Sequence, residues 1–77
     1  MMNTWITAVS AELNLPADVD VDVDVILDVA RVTARKLHPP AAPVSTFLLG
    51  VAVAGGMDVD EAAARIQALA TTWPTPE

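Results

Sequence analysis

Residues 39–57 read PPAAPVSTFLLGVAVAGGM and contain no charged side chain, and this stretch decides the fold class. Its strongly apolar part, from Phe47 to Met57, would cross only about half of a membrane's hydrocarbon core at ~1.5 Å per helical residue. The prolines at its start and the pair Gly55 and Gly56 at its end are typical of a helix with defined ends inside a protein core. We therefore predict a buried helix and no membrane span.

Length and composition limit the rest of the chain. It has 77 residues, a formal net charge of −6 and no cysteine. One domain, residues 1–77, is expected, with a net stability of about 3–5 kcal/mol unless self-association or a protein partner reinforces it. The lack of cysteine excludes disulfides, and the amino-terminal residues lack the basic start of a signal peptide, so we expect a cytoplasmic protein. The acidic balance argues against nucleic acid as a partner.

Periodicity and capping residues predict an all-α fold of four helices with a central apolar third helix. The predicted helices cover about residues 3–13, 23–37, 43–55 and 58–73, with a short tail over 74–77. Asp22 or Asp24 can cap the second helix, and Asp58 followed by Glu61 marks the start of the fourth. The alternating stretch ADVDVDVDV would pass locally for a strand, but no second strand exists to pair with it, so we expect an acidic connection over 17–21.

Apolar faces on these helices predict the core. The expected core residues are Trp5, Ile6, Val9 and Leu13; Val25, Ile26, Val29, Ala30, Thr33 and Leu37; and Val59, Ala62, Ile66, Leu69 and Trp73. The third helix is apolar nearly all round, so it must lie in the middle of its bundle or be covered by another chain. One of its sides carries Val44, Phe47, Leu48, Val51 and Ala54. The other carries Leu49, Val53 and Met57, which we predict as the partner interface.

A second candidate site is the amino end of the third helix. Ala42, its predicted cap, has no capping side chain, so backbone N–H groups beside Ser45 and Thr46 are left to attract an anion. The upstream side chains that a turn would bring near are Arg31, Arg35, Lys36 and His38. A pocket for phosphate, a nucleotide or a carboxylate is the functional interpretation. The alternative is that water or an aspartate of the chain occupies these donors.

Catalytic and metal signals are weak. Counted from Asp18, a calcium loop would need a glycine and a glutamate where the chain has Val23 and Val29. His38 is the only histidine, and no nucleophile or orienting group can be assigned to it. We therefore expect no catalytic residue, no metal site and no cofactor.

Ser45 gives a distant alternative. Through its small size, its acidity and its four predicted helices, the chain resembles acyl carrier proteins. In that family a serine at a helix start bears a phosphopantetheine arm. Here Val44-Ser45-Thr46 stands in place of the Asp-Ser-Leu motif of that family, and two predicted helices precede the serine instead of one.

A closer resemblance covers nearly the whole chain. It rests on Trp5 with Ala11-Glu12-Leu13, on the segment ILDVAR over 26–31, and above all on PAAPVSTFLLG over 40–50. Through these residues the chain resembles a family of small bacterial proteins of unknown function, found alone or as a tail fused to molybdenum cofactor guanylyltransferases. It departs from that family in its expanded Asp-Val repeat and at His38-Pro39. The resemblance implies an accessory role near molybdenum cofactor maturation and transfers no catalytic residue.

Together these features predict a non-enzymatic interaction module. Its partner would be another protein, with the guanylyltransferase as the named candidate, or a second copy in a homodimer. The alternative function is a small-anion or nucleotide-binding domain that uses the start of the third helix.

Overall fold

A computed structural model describes residues 1–16 and 19–74, and within these ranges the chain forms four α-helices and no strand. The helices are α1 Met2–Glu12, α2 Val23–Lys36, α3 Ala41–Ala54 and α4 Val59–Thr72. The predicted all-α fold of four helices is confirmed. Two predictions fall partly outside the described residues, namely the acidic connection at Ala17 and Asp18 and the tail at 75–77.

Aspartate caps start α2 and α4, as the sequence predicts. The Asp22 carboxylate accepts a hydrogen bond from the Val25 N–H at 3.2 Å. The Asp58 carboxylate accepts one from the Glu61 N–H at 3.1 Å. Each cap satisfies a backbone donor that the first turn of a helix leaves without an internal partner. Both helices are therefore fixed at their amino ends by local sequence.

The third helix starts earlier than predicted, at Ala41 instead of about residue 43. The turn before it provides the reason, because the His38 carbonyl accepts from the Ala41 N–H at 2.9 Å and the Pro39 carbonyl accepts from the Ala42 N–H at 3.1 Å. Pro43 lies within the first turn, where a missing N–H costs no helical hydrogen bond. The backbone of the turn thus leads directly into the helix.

Glycine ends α3. Gly56 has a φ of 110°, a left-handed conformation that glycine adopts without steric cost. This turn lets the Met57 N–H reach the Ala52 carbonyl at 3.1 Å and the Gly56 N–H reach the Val53 carbonyl at 3.0 Å. These two backbone hydrogen bonds together form the Schellman motif, which satisfies the last carbonyl groups of a helix.

The core lies between α2, α3 and α4. Its buried cluster consists of Val29, Leu49, Ala62 and Ala63, and the half-buried residues Val25, Ile26, Ala52, Val53, Met57 and Ile66 pack against it. Thr33 is also buried, and its hydroxyl donates to the Val29 carbonyl oxygen at 2.8 Å. The small side chains of α4 allow this helix to approach its neighbours closely.

The three core helices run up, down and up. Cavity linings show which ends meet: one cavity joins Asp22 and Ile26 near the start of α2 to Val53 near the end of α3 and Val59 at the start of α4. A second cavity, at the opposite end, is lined by Thr33, Leu37, Ser45, Ile66, Leu69, Ala70 and Trp73. The amino ends of α2 and α4 therefore lie beside the carboxyl end of α3.

The first helix differs from its prediction. It has no buried residue and packs against none of the other three described helices. Ile6 and Val9 are half-buried, but Trp5 is 64% exposed and Leu13 is 61% exposed, so the predicted core role of these last two is wrong. Ile6 instead lines a cavity with Leu15, Pro16 and Val19 from the connection that follows α1. The packed unit is thus α2, α3 and α4.

Within the described ranges, none of the helices has both the length and the apolar character that crossing a membrane requires.

Candidate functional site

The side of α3 that faces away from the core exposes four large apolar side chains. They are Val44 at 59%, Phe47 at 71%, Leu48 at 56% and Val51 at 54% exposure. Their spacing of three, one and three residues places them on one stripe of the helix. We call this set the outer α3 face.

The opposite side of α3 supplies the core. Leu49 is 2% exposed and belongs to the buried cluster, and Val53 and Met57 pack against that cluster. These three residues were predicted as the partner interface. The structure buries Leu49 among α2 and α4 and leaves Val53 and Met57 half-buried against the same cluster, so this side of α3 is packed within the chain. The same helix still presents an apolar surface outward, but through the other set of residues.

Charge is absent from the outer α3 face and from α3 as a whole. Residues 41–54 contain neither an acidic nor a basic side chain, whereas each of the other three described helices contains at least one. Single exposed apolar residues are ordinary on a protein surface, but contiguous exposed patches mark interaction sites. Phe47 and Leu48 at the middle of the stripe make this patch contiguous.

The predicted anion site lacks the donors it requires. The four donor positions at the start of α3 fall on Pro40, Ala41, Ala42 and Pro43. The two prolines have no N–H, and the two alanine N–H groups donate to the His38 and Pro39 carbonyls. The backbone N–H groups that would bind a phosphate or carboxylate are therefore already hydrogen-bonded within the turn that starts the helix.

The side chains of that predicted site do not converge either. The Thr46 hydroxyl donates to the Pro43 carbonyl oxygen at 3.0 Å, and Thr46 lines the first cavity, whereas Ser45 lines the second. Arg31 pairs with Asp28 on the exposed surface of α2. Arg35 and His38 are exposed. Ser45 and Thr46 thus line different cavities on different sides of α3, and the structure does not bring them into one pocket.

The larger of the two cavities between the core helices has a volume of about 460 Å³. Its walls are mainly apolar, from Ile26, Leu49, Val53 and Val59, and the connection before α2 contributes Asp20 and Asp22 at one side. The Asp22 carboxylate already accepts the capping hydrogen bond from the Val25 N–H. No reacting pair of a nucleophile and a base lines this space among the described residues.

Carboxylates of the described residues do not form a metal centre. Among these residues, no three acidic or histidine side chains are placed so that they could hold one metal ion together. Asp18, the first aspartate of the calcium-like count, lies outside the described residues. Asp22 and Asp58 act as helix caps, and Glu61 pairs with Arg65 at 3.0 Å between Oε2 and Nη2.

Charges divide between the two ends of α3 in the described part of the chain. The end where α3 stops carries the carboxylates of Asp20, Asp22, Asp24, Asp58, Asp60 and Glu61, and we call it the acidic end. The end where α3 starts carries Arg35 and Lys36 in the last turn of α2, together with His38, and we call it the basic end. The helix dipoles of α2 and α4 favour this arrangement.

Sequence reasoning placed Val44, Phe47, Leu48 and Val51 on one stripe but did not select this stripe as the exposed one. The signal that could have separated the two sides is weak, because a helix that is apolar all round has almost no polar face to mark the solvent.

Comparison with known proteins identifies a family. A family model described as a domain of unknown function, DUF6457, matches residues 1–77. No curated protein and no solved structure matches the chain.

Proposed function

This chain belongs to the DUF6457 family, and we propose that it is a non-enzymatic protein-interaction module that docks through the outer α3 face. The observation that carries the proposal is the exposure of Val44, Phe47, Leu48 and Val51 on a helix with no charged residue. A protein that kept this surface in water would gain nothing from four large apolar side chains there. A protein that covers the surface removes apolar area from water.

Magnitudes indicate a reversible association. Full burial of a Val, Leu or Phe side chain contributes about 1.5–3 kcal/mol. The side chains of the outer α3 face are already partly covered by the chain, so each gains less than that. Association itself costs about 4–15 kcal/mol in lost translational and rotational freedom. A partner that covers the face therefore binds with moderate affinity, as suits an accessory module that joins and leaves an assembly.

We propose in addition that the module acts in the cytoplasm as an accessory to molybdenum cofactor guanylylation, with the guanylyltransferase as its heterologous partner. The resemblance of the 40–50 segment to tails of such enzymes supports this role. That segment supplies Val44, Phe47 and Leu48, which are three of the four residues of the outer α3 face. Most of the outer α3 face thus lies within the segment that carries the resemblance.

The test compares two variants, each at an exposed apolar position. Phe47→Glu places a charge on the outer α3 face, and Leu27→Glu places the same charge at a 51% exposed leucine of α2 outside that face. Each purified chain is sedimented alone and together with purified guanylyltransferase. We expect the natural chain and Leu27→Glu to form a species heavier than the monomer in at least one of the two samples, and Phe47→Glu to remain monomeric in both.

Circular dichroism of both variants serves as the folding control, since neither position is buried. Association of Phe47→Glu equal to that of the natural chain would overturn the docking surface. Absence of any heavier species for the natural chain, with and without the enzyme, would overturn the interaction function.

A further inference from the structure

We infer that the outer α3 face is occupied by the same face of a second copy, in an antiparallel α3 pair related by a twofold axis. This inference rests on the proposed docking function, because it names the molecule that covers the outer α3 face when the guanylyltransferase is not bound. Three observations carry it: the lack of charge on α3, the spacing of its exposed residues, and the distribution of charge at its two ends.

Two copies that each carry a formal net charge of −6 repel one another over most of their surfaces. Contact between copies requires a surface that buries no carboxylate against another. α3 is the helix, among those described, that has no charged residue. The outer α3 face is thus a surface through which this acidic chain can meet itself without burying like charges.

The exposed residues suit a twofold axis. In a twofold contact, if residue i of one copy touches residue j of the other, then residue j of the first copy also touches residue i of the second. The intervals of three, one and three residues between Val44, Phe47, Leu48 and Val51 read the same in both directions along the helix. An antiparallel pair centred between positions 47 and 48 therefore sets Phe47 against Leu48 of the second copy and Val44 against Val51 of the second copy. The bulky residues meet at the centre and the smaller ones flank them.

Charge selects the antiparallel direction. In that direction the basic end of each copy, with Arg35 and Lys36, lies beside the acidic end of the other, with Asp58 and Asp60. A parallel pair would instead bring the two acidic ends together. Complementary charge at the rim of an interface fixes register and favours encounter. The antiparallel helix dipoles add in the same sense.

The contact is a small one. Stable interfaces typically bury about 800 Å² on each partner, which exceeds what one stripe of a 14-residue helix can offer by itself. We therefore expect a reversible dimer whose population changes with protein concentration between about 1 and 100 μM.

Sedimentation of the full chain over that concentration range tests the dimer. The natural chain and Leu27→Glu should shift from monomer to dimer, whereas Phe47→Glu should stay monomeric at every concentration. A natural chain that remains monomeric throughout overturns the inference. A Phe47→Glu chain that dimerises like the natural one overturns it as well.

Cross-linking tests the direction, and the absence of cysteine from the sequence makes the assignment unambiguous. Val44→Cys and Val51→Cys are prepared separately, both at exposed positions, and are oxidised alone and as a mixture. The antiparallel pair predicts a disulfide-linked dimer in the mixture and little in either sample alone. A linked dimer from Val44→Cys alone would show a parallel pair and overturn the arrangement.

The sample with guanylyltransferase distinguishes failure of the second copy as occupant from failure of the docking surface itself. A natural chain that is monomeric alone but binds the enzyme, with the binding lost in Phe47→Glu, overturns the second copy as occupant and retains the docking surface. A natural chain that is monomeric in both samples overturns both the inference and the proposed function.

Discussion

Leu49 and Phe47 stand two residues apart on α3 and face opposite ways, with 2% of Leu49 and 71% of Phe47 exposed. Two steps along an α-helix turn the side chain by about 200°, so two apolar residues at this spacing lie on opposite sides of the helix. Leu49 joins α3 to α2 and α4, while Phe47 is available to another molecule. One apolar helix thus has two tasks, and substitutions on its two sides should have different effects.

Truncation on the inner side should unfold the chain. Leu49→Ala removes a buried side chain at a cost of about 2–5 kcal/mol, which is comparable to the whole stability of a domain of this size, about 3–5 kcal/mol. Leu48→Ala is the matched control on the outer side and should change the free energy of unfolding by less than about 0.5 kcal/mol. Urea unfolding followed by circular dichroism, at concentrations below dimerisation, gives both values. Equal losses would contradict the orientation of α3.

Two glycines should respond in opposite directions to alanine. Gly50 lies in the middle of α3, and a Cβ added there meets no atom within 4 Å, so Gly50→Ala should raise the free energy of unfolding by about 0.5–1 kcal/mol through helix propensity. Gly56 has a φ of 110°, so Gly56→Ala should lower it by about 1–2 kcal/mol. Thermal unfolding of the two variants checks the signs. A decrease for Gly50→Ala would mean that something outside the monomer uses the space at this glycine.

The capping side chain of Asp58 should contribute more to the free energy of unfolding than the nearby carboxylate of Asp60. Asp58→Ala removes the acceptor of the Glu61 N–H and should cost about 1 kcal/mol. Asp60→Ala removes a first-turn carboxylate that interacts only with the helix dipole and should cost about 0.3–1 kcal/mol. Asp58→Asn keeps the cap and should restore most of the loss. If the two alanine variants lose the same stability in 1 M salt, where the dipole term is screened, the capping bond contributes nothing.

Hydrogen exchange should separate α1 from the other helices. Because α1 has no buried residue and packs against none of the other described helices, its amides should exchange by local opening. Amides in the middle of α2, around Val29 and Thr33, should exchange only through global unfolding. Mass spectrometry of deuterium uptake measures both. Protection of α1 equal to that of α2 would show that α1 is packed in solution, either on its own chain or on a second copy.

Local chemistry made most of the fold predictable. Asp22 and Asp58 mark helix starts by side chains that bond the next turn, and Gly55 with Gly56 marks a helix end, so these boundaries follow from short stretches of sequence. The start of α3 was harder to place. It depends on backbone carbonyls of His38 and Pro39, which leave no signature in side-chain chemistry.

The buried residues were predicted less well than the helices, because a prediction from hydropathy selects large apolar residues over alanine. On α4 the sequence correctly selected Ala62, but it also selected Leu69 and Trp73, which are exposed, and omitted Ala63 and Ala70, which are buried. Helices that approach closely select small side chains at the contact, and no periodicity shows how close two helices will come. The outward side of α3 was hard to predict for a related reason, since both sides of this helix are apolar.

The alanines of α4 have a consequence for how the chain unfolds. Three of the five buried apolar residues in the described part of the chain are alanines, so the core contains few methylene groups for the number of residues it orders. Unfolding then exposes little apolar surface, and both the denaturant dependence and the heat capacity change scale with that surface. The urea transition should be broad, with a slope of about 1 kcal/mol/M, and the stability curve should be shallow over a wide temperature range.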